Sequence, residues 1–229
     1  MTMTRQDTDA IRTLQALEDT SSSVRLRAAL AVGTAPDPGF VGKLVERCAI
    51  EPEFFIRDML TWALTRHPVS LTLPELFREV RSERAQARSQ ALHTLSKIGD
   101  RQAWPAITRA LLSDADEEVA RSAWRAAVVL VPEGEESALA TALATQLGRG
   151  EQGTQLSLSK ALVALGEVIV PALRAATTSP APQVRAHALA TQRLLRDPDA
   201  GFESAIEEAK RVVALTGAPG TDDENRADR

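Results

Sequence analysis

The sequence predicts an all-α protein, an α-α superhelix of about six helical hairpins closed by a C-terminal capping helix. Three observations predict it. Alanine and leucine fill the apolar quota, aromatics make up 3% and tyrosine is absent; alanine and leucine both favour helix over strand. Val-Ile-Thr alternation never persists beyond a few residues, and no Asn-Gly hairpin turn occurs. The chain also resembles itself at a spacing of thirty-odd residues.

That spacing orders the elements. SSVRLRAAL, FFIRDML, AQARSQAL, EEVARSAW and PQVRAHAL share a small or branched apolar residue, usually followed by arginine and then an alanine-leucine helix. The anchors are Val24, Ile56, Ala87, Val119 and Val184, with gaps of 32, 31, 32 and 65. The last gap leaves room for one degenerate copy, TQLSLSKALVALGE, anchored near Thr154. It lacks both the proline and the arginine of its fellows. Pro74, Pro105 and Pro171 precede their anchors by 13 or 14 residues and are expected before or within the first turn of a helix, where a missing N–H is harmless. The hairpins expected are 8–35, 36–69, 70–101, 102–133, 134–167 and 168–198, followed by the amphipathic FESAIEEAKRVVAL. A hairpin of this size cannot bury its apolar face alone, so stacked copies share one core. The solenoid is expected over 8–216, after a flexible segment 1–7 and before a disordered acidic tail, 217–229.

These motifs resemble the HEAT-repeat family: a proline opening the first helix, a turn rich in Asp and Ser (SDADEEVAR, SPAPQVR), a Val-Arg pair opening the second helix, and an ending such as SKIGD. The resemblance covers about residues 8–198 and implies fold alone, since HEAT arrays serve as scaffolds, adaptors and carriers and a few are enzymes. The helix FFIRDMLTWALTRHP resembles segments of small bacterial HEAT-repeat proteins. That implies a binding role, with another protein or peptide, a transcriptional regulator among them, as the expected partner.

Composition narrows the function classes. The 229 residues carry a formal net charge of −4, so no excess of cation draws the whole molecule to nucleic acid or anionic lipid. The opening MTMTRQDTDA lacks the apolar core of a signal peptide, and the longest apolar run, AAVVLV, is far too short to span a membrane. With Cys48 the only cysteine, no internal disulfide can form and a cytoplasmic home is expected. Cys48 and the three histidines (His67, His93 and His187) show no metal-ligand spacing. GRGEQG follows no strand and lacks the Lys-Ser/Thr ending of a phosphate-binding loop. No catalytic residue and no cofactor are expected.

A binding site is sought on the inner wall lined by the second helices. On a helical wheel starting at Ile56, Phe55, Asp58 and Trp62 fall roughly opposite the core stripe. Carrying the Trp62 position across the copies gives Leu30, His93, Arg125, Lys160 and Ala190; the Asp58 position gives Ser89, Arg121 and Ala186, and the position nine beyond the last anchor adds Arg193. The expected wall therefore begins aromatic and acidic, passes through histidine and ends cationic. It would suit a polypeptide with an apolar anchor and a negative stretch. Two placements stay open for Trp62, the wall itself or a lateral groove between copies. The recurrent arginines after the anchors (Arg25, Arg57, Arg88, Arg185) are expected to pair with a neighbouring acid or a helix-end carbonyl. The alternative is a DNA-binding or DNA-glycosylase-like HEAT protein that grips phosphates with Arg121, Arg125, Lys160 and Arg193. The acidic balance and scarcity of aromatics weigh against that.

Overall fold

The computed structural model describes residues 5–217. The tail expected at 217–229 lies outside them apart from Gly217, and of the segment 1–7 only residues 5–7 fall within them, already helical. The described chain is all-α, with no strand. Its helices are α1 (Arg5–Ala16), α2 (Ser22–Thr34), α3 (Val41–Ile50), α4 (Phe54–Thr65), α5 (Val69–Glu79), α6 (Ala85–Ile98), α7 (Arg109–Leu112), α8 (Glu117–Leu130), α9 (Glu136–Ala144), α10 (Gln152–Ala164), α11 (Val170–Ala176), α12 (Pro182–Arg196) and α13 (Phe202–Gly217). The described residues divide into two compact units, the first ending at Leu139 and the second beginning at Ala140.

In the first unit the second helix of each hairpin packs on the next: α2 on α4, α4 on α6, α6 on α8. In the second, α12 packs on α10, α11 and, most extensively, α13. Each of the six anchors, Thr154 included, is the third residue of its helix. All but the half-buried Val24 and Val184 are buried. The third position of an amphipathic helix entered from a tight turn points into the core, so one apolar residue there sets the phase of the whole helix.

The arginine one place later makes the same contact in every copy that carries it. Its Nη1 donates to the two carbonyls five and six residues upstream: Arg25 to Asp19 and Thr20, Arg57 to Glu51 and Pro52, Arg88 to Ser82 and Glu83, and Arg185 to Ser179 and Pro180. Those carbonyls belong to the turn between the two helices, which a helical ladder cannot satisfy. A charged donor bound to them is worth about 1.5–3 kcal/mol. Two of the arginines also reach the acid 26 residues downstream, Arg25 to Glu51 and Arg88 to Asp114. The degenerate copy keeps half the device: Gln155 stands where arginine would, and its amide donates to Gly150 O at 3.0 Å.

The prolines are less uniform than their spacing implies. Pro171 does open α11. Pro74 lies inside α5, whose N-cap is instead Pro68, and Pro105 lies in a 3-10 turn, Arg101–Ala106. There the first helix of the copy is reduced to the single turn of α7, and Trp124 of α8, fully buried, donates its indole N–H to Leu112 O at 2.8 Å. The SKIGD ending is a left-handed cap: Gly99 has φ 71°, and its N–H donates to Leu95 O.

Candidate functional site: a groove across α4, α6 and α8

Three successive second helices, α4, α6 and α8, line one groove of about 680 Å³. From α4 come Phe54, Arg57 and Asp58; from α6 Gln86, Ser89, Gln90 and His93; from α8 Glu118, Arg121, Ser122 and Arg125. Four of the residues expected on the wall are thus brought together: Asp58, His93, Arg121 and Arg125.

The other four are not in it. Phe55 is 77% exposed beside the groove, its ring edge-on to Phe54 at 5.7 Å. Trp62 lies against the preceding second helix, α2. A methyl group built on Gly33 of α2 would overlap its ring, so one face of the indole covers that glycine, yet the side chain stays 37% exposed. Lys160 belongs to the second unit, where it edges a mostly apolar groove with Leu156, Leu194 and Phe202. Arg193 is ion-paired with Glu208 of α13. The same helix buries the wall positions of the last copy: Ala186 and Ala190 pack with Leu194 against Phe202, Ile206, Ala209 and Val213. The expected cationic end of the wall is there an apolar helix-helix contact.

The charges within the groove are arranged by helix. On α8, Glu118 lies 3.6 Å from Arg121 Nη1 and 3.3 Å from Arg125 Nη2, one carboxylate between two guanidiniums. Asp116 is occupied as the α8 N-cap, accepting from the N–H groups of Glu118 and Val119. On α4, Arg57 is turned to its clamp carbonyls and lies over the Phe54 ring at 5.9 Å. Asp58 makes no hydrogen bond or ion pair among the described residues. Between them, burial pushes the His93 imidazole below its ordinary value, Lys97 and Arg125 push it further, and Asp58 and Glu118 partly oppose this.

One further property singles this groove out. Among the described residues, three buried side-chain polar atoms lack a hydrogen-bond partner: Arg57 Nε, Gln90 Oε1 and Arg121 Nε. All three belong to residues that line it, one on each helix. Gln90 also borders a small cavity beside Cys48 and Thr94. An unmet buried donor or acceptor costs about 1–3 kcal/mol, and two donors and an acceptor on residues that line the groove carry that cost.

Phe54, Arg57, Gln90 and Ser122 escape a reading that carries only the Asp58 and Trp62 columns across the copies. The signal available was the column one place beyond Asp58, which holds Gln90 and Ser122 and flanks the same helix face. Nothing local could show that Phe54 turns into the groove and Phe55 does not.

Among the described residues, no three His, Cys, Asp or Glu side chains are grouped to hold a metal ion, and no single helix is long and apolar enough to cross a membrane. No protein-family model and no curated protein matches the chain. A crystal structure of an engineered protein from the Northeast Structural Genomics Consortium is similar to it, with 19% identity, 88% of this chain and 97% of that one covered, and a TM-score of 0.46.

Proposed function

We propose that the protein is a non-catalytic, HEAT-type interaction module of the cytoplasm, an adaptor or scaffold that holds a segment of another protein in the groove across α4, α6 and α8. The observation that carries this reading is the set of unmet buried atoms, a donor on α4, an acceptor on α6 and a donor on α8. A polypeptide main chain supplies both kinds of partner, C=O and N–H, every residue. Phosphates supply acceptors only. The DNA-gripping alternative also loses cations: Arg121 and Arg125 share Glu118, and Arg193 is paired with Glu208.

Selection of a displayed random-peptide library against the purified protein tests the proposal. Enriched peptides should bind the wild type and weaken at least fivefold with Arg121→Ala and with Gln90→Leu. Enrichment no better than background removes the proposal. Binding to duplex DNA that falls steeply with added salt would replace it with the nucleic-acid reading.

A further inference from the structure

The peptide-binding reading can be taken further, because the two ends of the groove differ in chemistry. Asp58 is exposed and unpaired among the described residues, and its helix places aromatic residues around it: Phe54 and Phe55 one turn before, Trp62 one turn after. Phe54 and Phe55 are mostly exposed and Trp62 partly so, which leaves three open aromatic rings along α4. An open carboxylate beside open aromatic rings has the chemistry of a seat for a long cation, whose methylene stem lies on a ring while its head reaches the carboxylate. Arg57 already takes one face of Phe54 in this manner; Phe55 and Trp62 are the rings open to a ligand.

The α8 end has the opposite need. Glu118 serves two guanidiniums, and Arg121 Nε–H is unmet. A second carboxylate there would pair with a cation that one carboxylate leaves half-satisfied. His93 lies between the ends, where burial disfavours its charged form. Adjacent packed helices stand about 8–10 Å apart, so α4 to α8 is about 18 Å, which an extended chain rising about 3.3 Å per residue crosses in about five or six residues.

We propose that the groove reads an extended segment carrying a lysine or arginine on Asp58 and its aromatic neighbours and, about five or six residues away, an aspartate or glutamate on Arg121 and Arg125. This rests on the peptide-binding reading above. It adds the sign and spacing of the charges.

The test uses four capped, fluorescently labelled peptides of one neutral background, titrated by anisotropy. They carry Lys and Glu about five residues apart, Lys and Lys at that spacing, Glu and Glu at that spacing, or Lys and Glu about two residues apart. The first should bind the wild type up to about fivefold tighter than the others, the gain of the second exposed ion pair. Asp58→Lys should reverse the order in favour of the Glu and Glu peptide. Asp58 has no structural partner, so this variant should keep the far-UV circular dichroism of the wild type. Equal binding of all four peptides, lost with Arg121→Ala, overturns the charge reading and leaves the groove standing. An unchanged order in Asp58→Lys also overturns it. Failure of every peptide to bind overturns both readings.

Discussion

Replacing Glu51 with glutamine keeps the shape of the side chain and removes its charge from between two guanidiniums. Glu51 is fully buried at the end of α3. It accepts from Arg25 Nε and Nη2 at 2.7 and 2.8 Å, from Arg47 Nε and Nη2 at 2.9 and 2.8 Å, and from the Glu53 N–H at 3.1 Å. Burial alone would raise its pKa. The two arginines and the backbone N–H outweigh burial and hold it at about 2, against an ordinary 4.5. A carboxyl so depressed stabilises the folded state by about 3 kcal/mol at neutral pH. That matches the loss of about 3–5 kcal/mol on breaking a buried ion pair from one side. The stabilisation is complete above the unfolded pKa and is lost as pH falls from about 4.5 to about 2, because the unfolded chain takes up the proton first. Urea unfolding followed by tryptophan fluorescence is the assay, since Trp62, Trp104 and Trp124 all lie in the first unit. Glu51→Gln should lose about 3 kcal/mol at neutral pH, and the gap from wild type should close as pH drops towards about 2. A loss below about 1 kcal/mol at neutral pH, or a gap that ignores pH, would refute the claim that ionised Glu51 fastens the first two hairpins together.

Gly33→Ala should destabilise by about 1–3 kcal/mol through overlap with the Trp62 ring. In a Trp62→Ala background the same change should stabilise by up to about 1 kcal/mol, the ordinary helical preference for alanine, and a double-mutant cycle by urea unfolding checks both. In the second unit, His187 is fully buried; its Nδ1 accepts from Gly148 N–H, Nε2 lies near Ser159 Oγ and Gln155 O, and burial holds it neutral down to about 4. A lowered histidine contributes stability that is full above about 6.5 and is lost as pH falls from there to about 4, roughly 3 kcal/mol in all. His187→Gln should remove that acid step in hydrogen exchange of α10 and α12. Arg185→Ala should cost about 1.5–3 kcal/mol and Gln155→Ala about 0.5–1.5, the difference between a charged and a neutral donor to the same kind of turn, measured by circular dichroism melting. Cys48 is buried, and burial pushes its thiol up to about 12; a disulfide reagent at mildly alkaline pH should label it only as fast as the protein unfolds.

Helix identity and the start of each second helix were legible in the sequence, because each is set within a few residues. Alanine and leucine exclude strands, one apolar anchor at the third position turns each helix to the core, and an arginine clamps the turn that precedes it. Even the weak fifth copy obeys, with Gln155 doing the work of the missing arginine. Which of the outward-facing residues remain outward was settled elsewhere. Ala190 holds the same register as Trp62 and His93 yet is buried, because α13 lies on it, and Arg193 is held by a glutamate fifteen positions away on that helix. Trp62 lies against a glycine on α2, and the unmet atoms of Arg57, Gln90 and Arg121 become a set only once α4, α6 and α8 lie side by side. Periodicity is a property of the chain next to itself. Exposure, pairing and charge balance depend on neighbours distant in sequence, and these only the packed structure brings together.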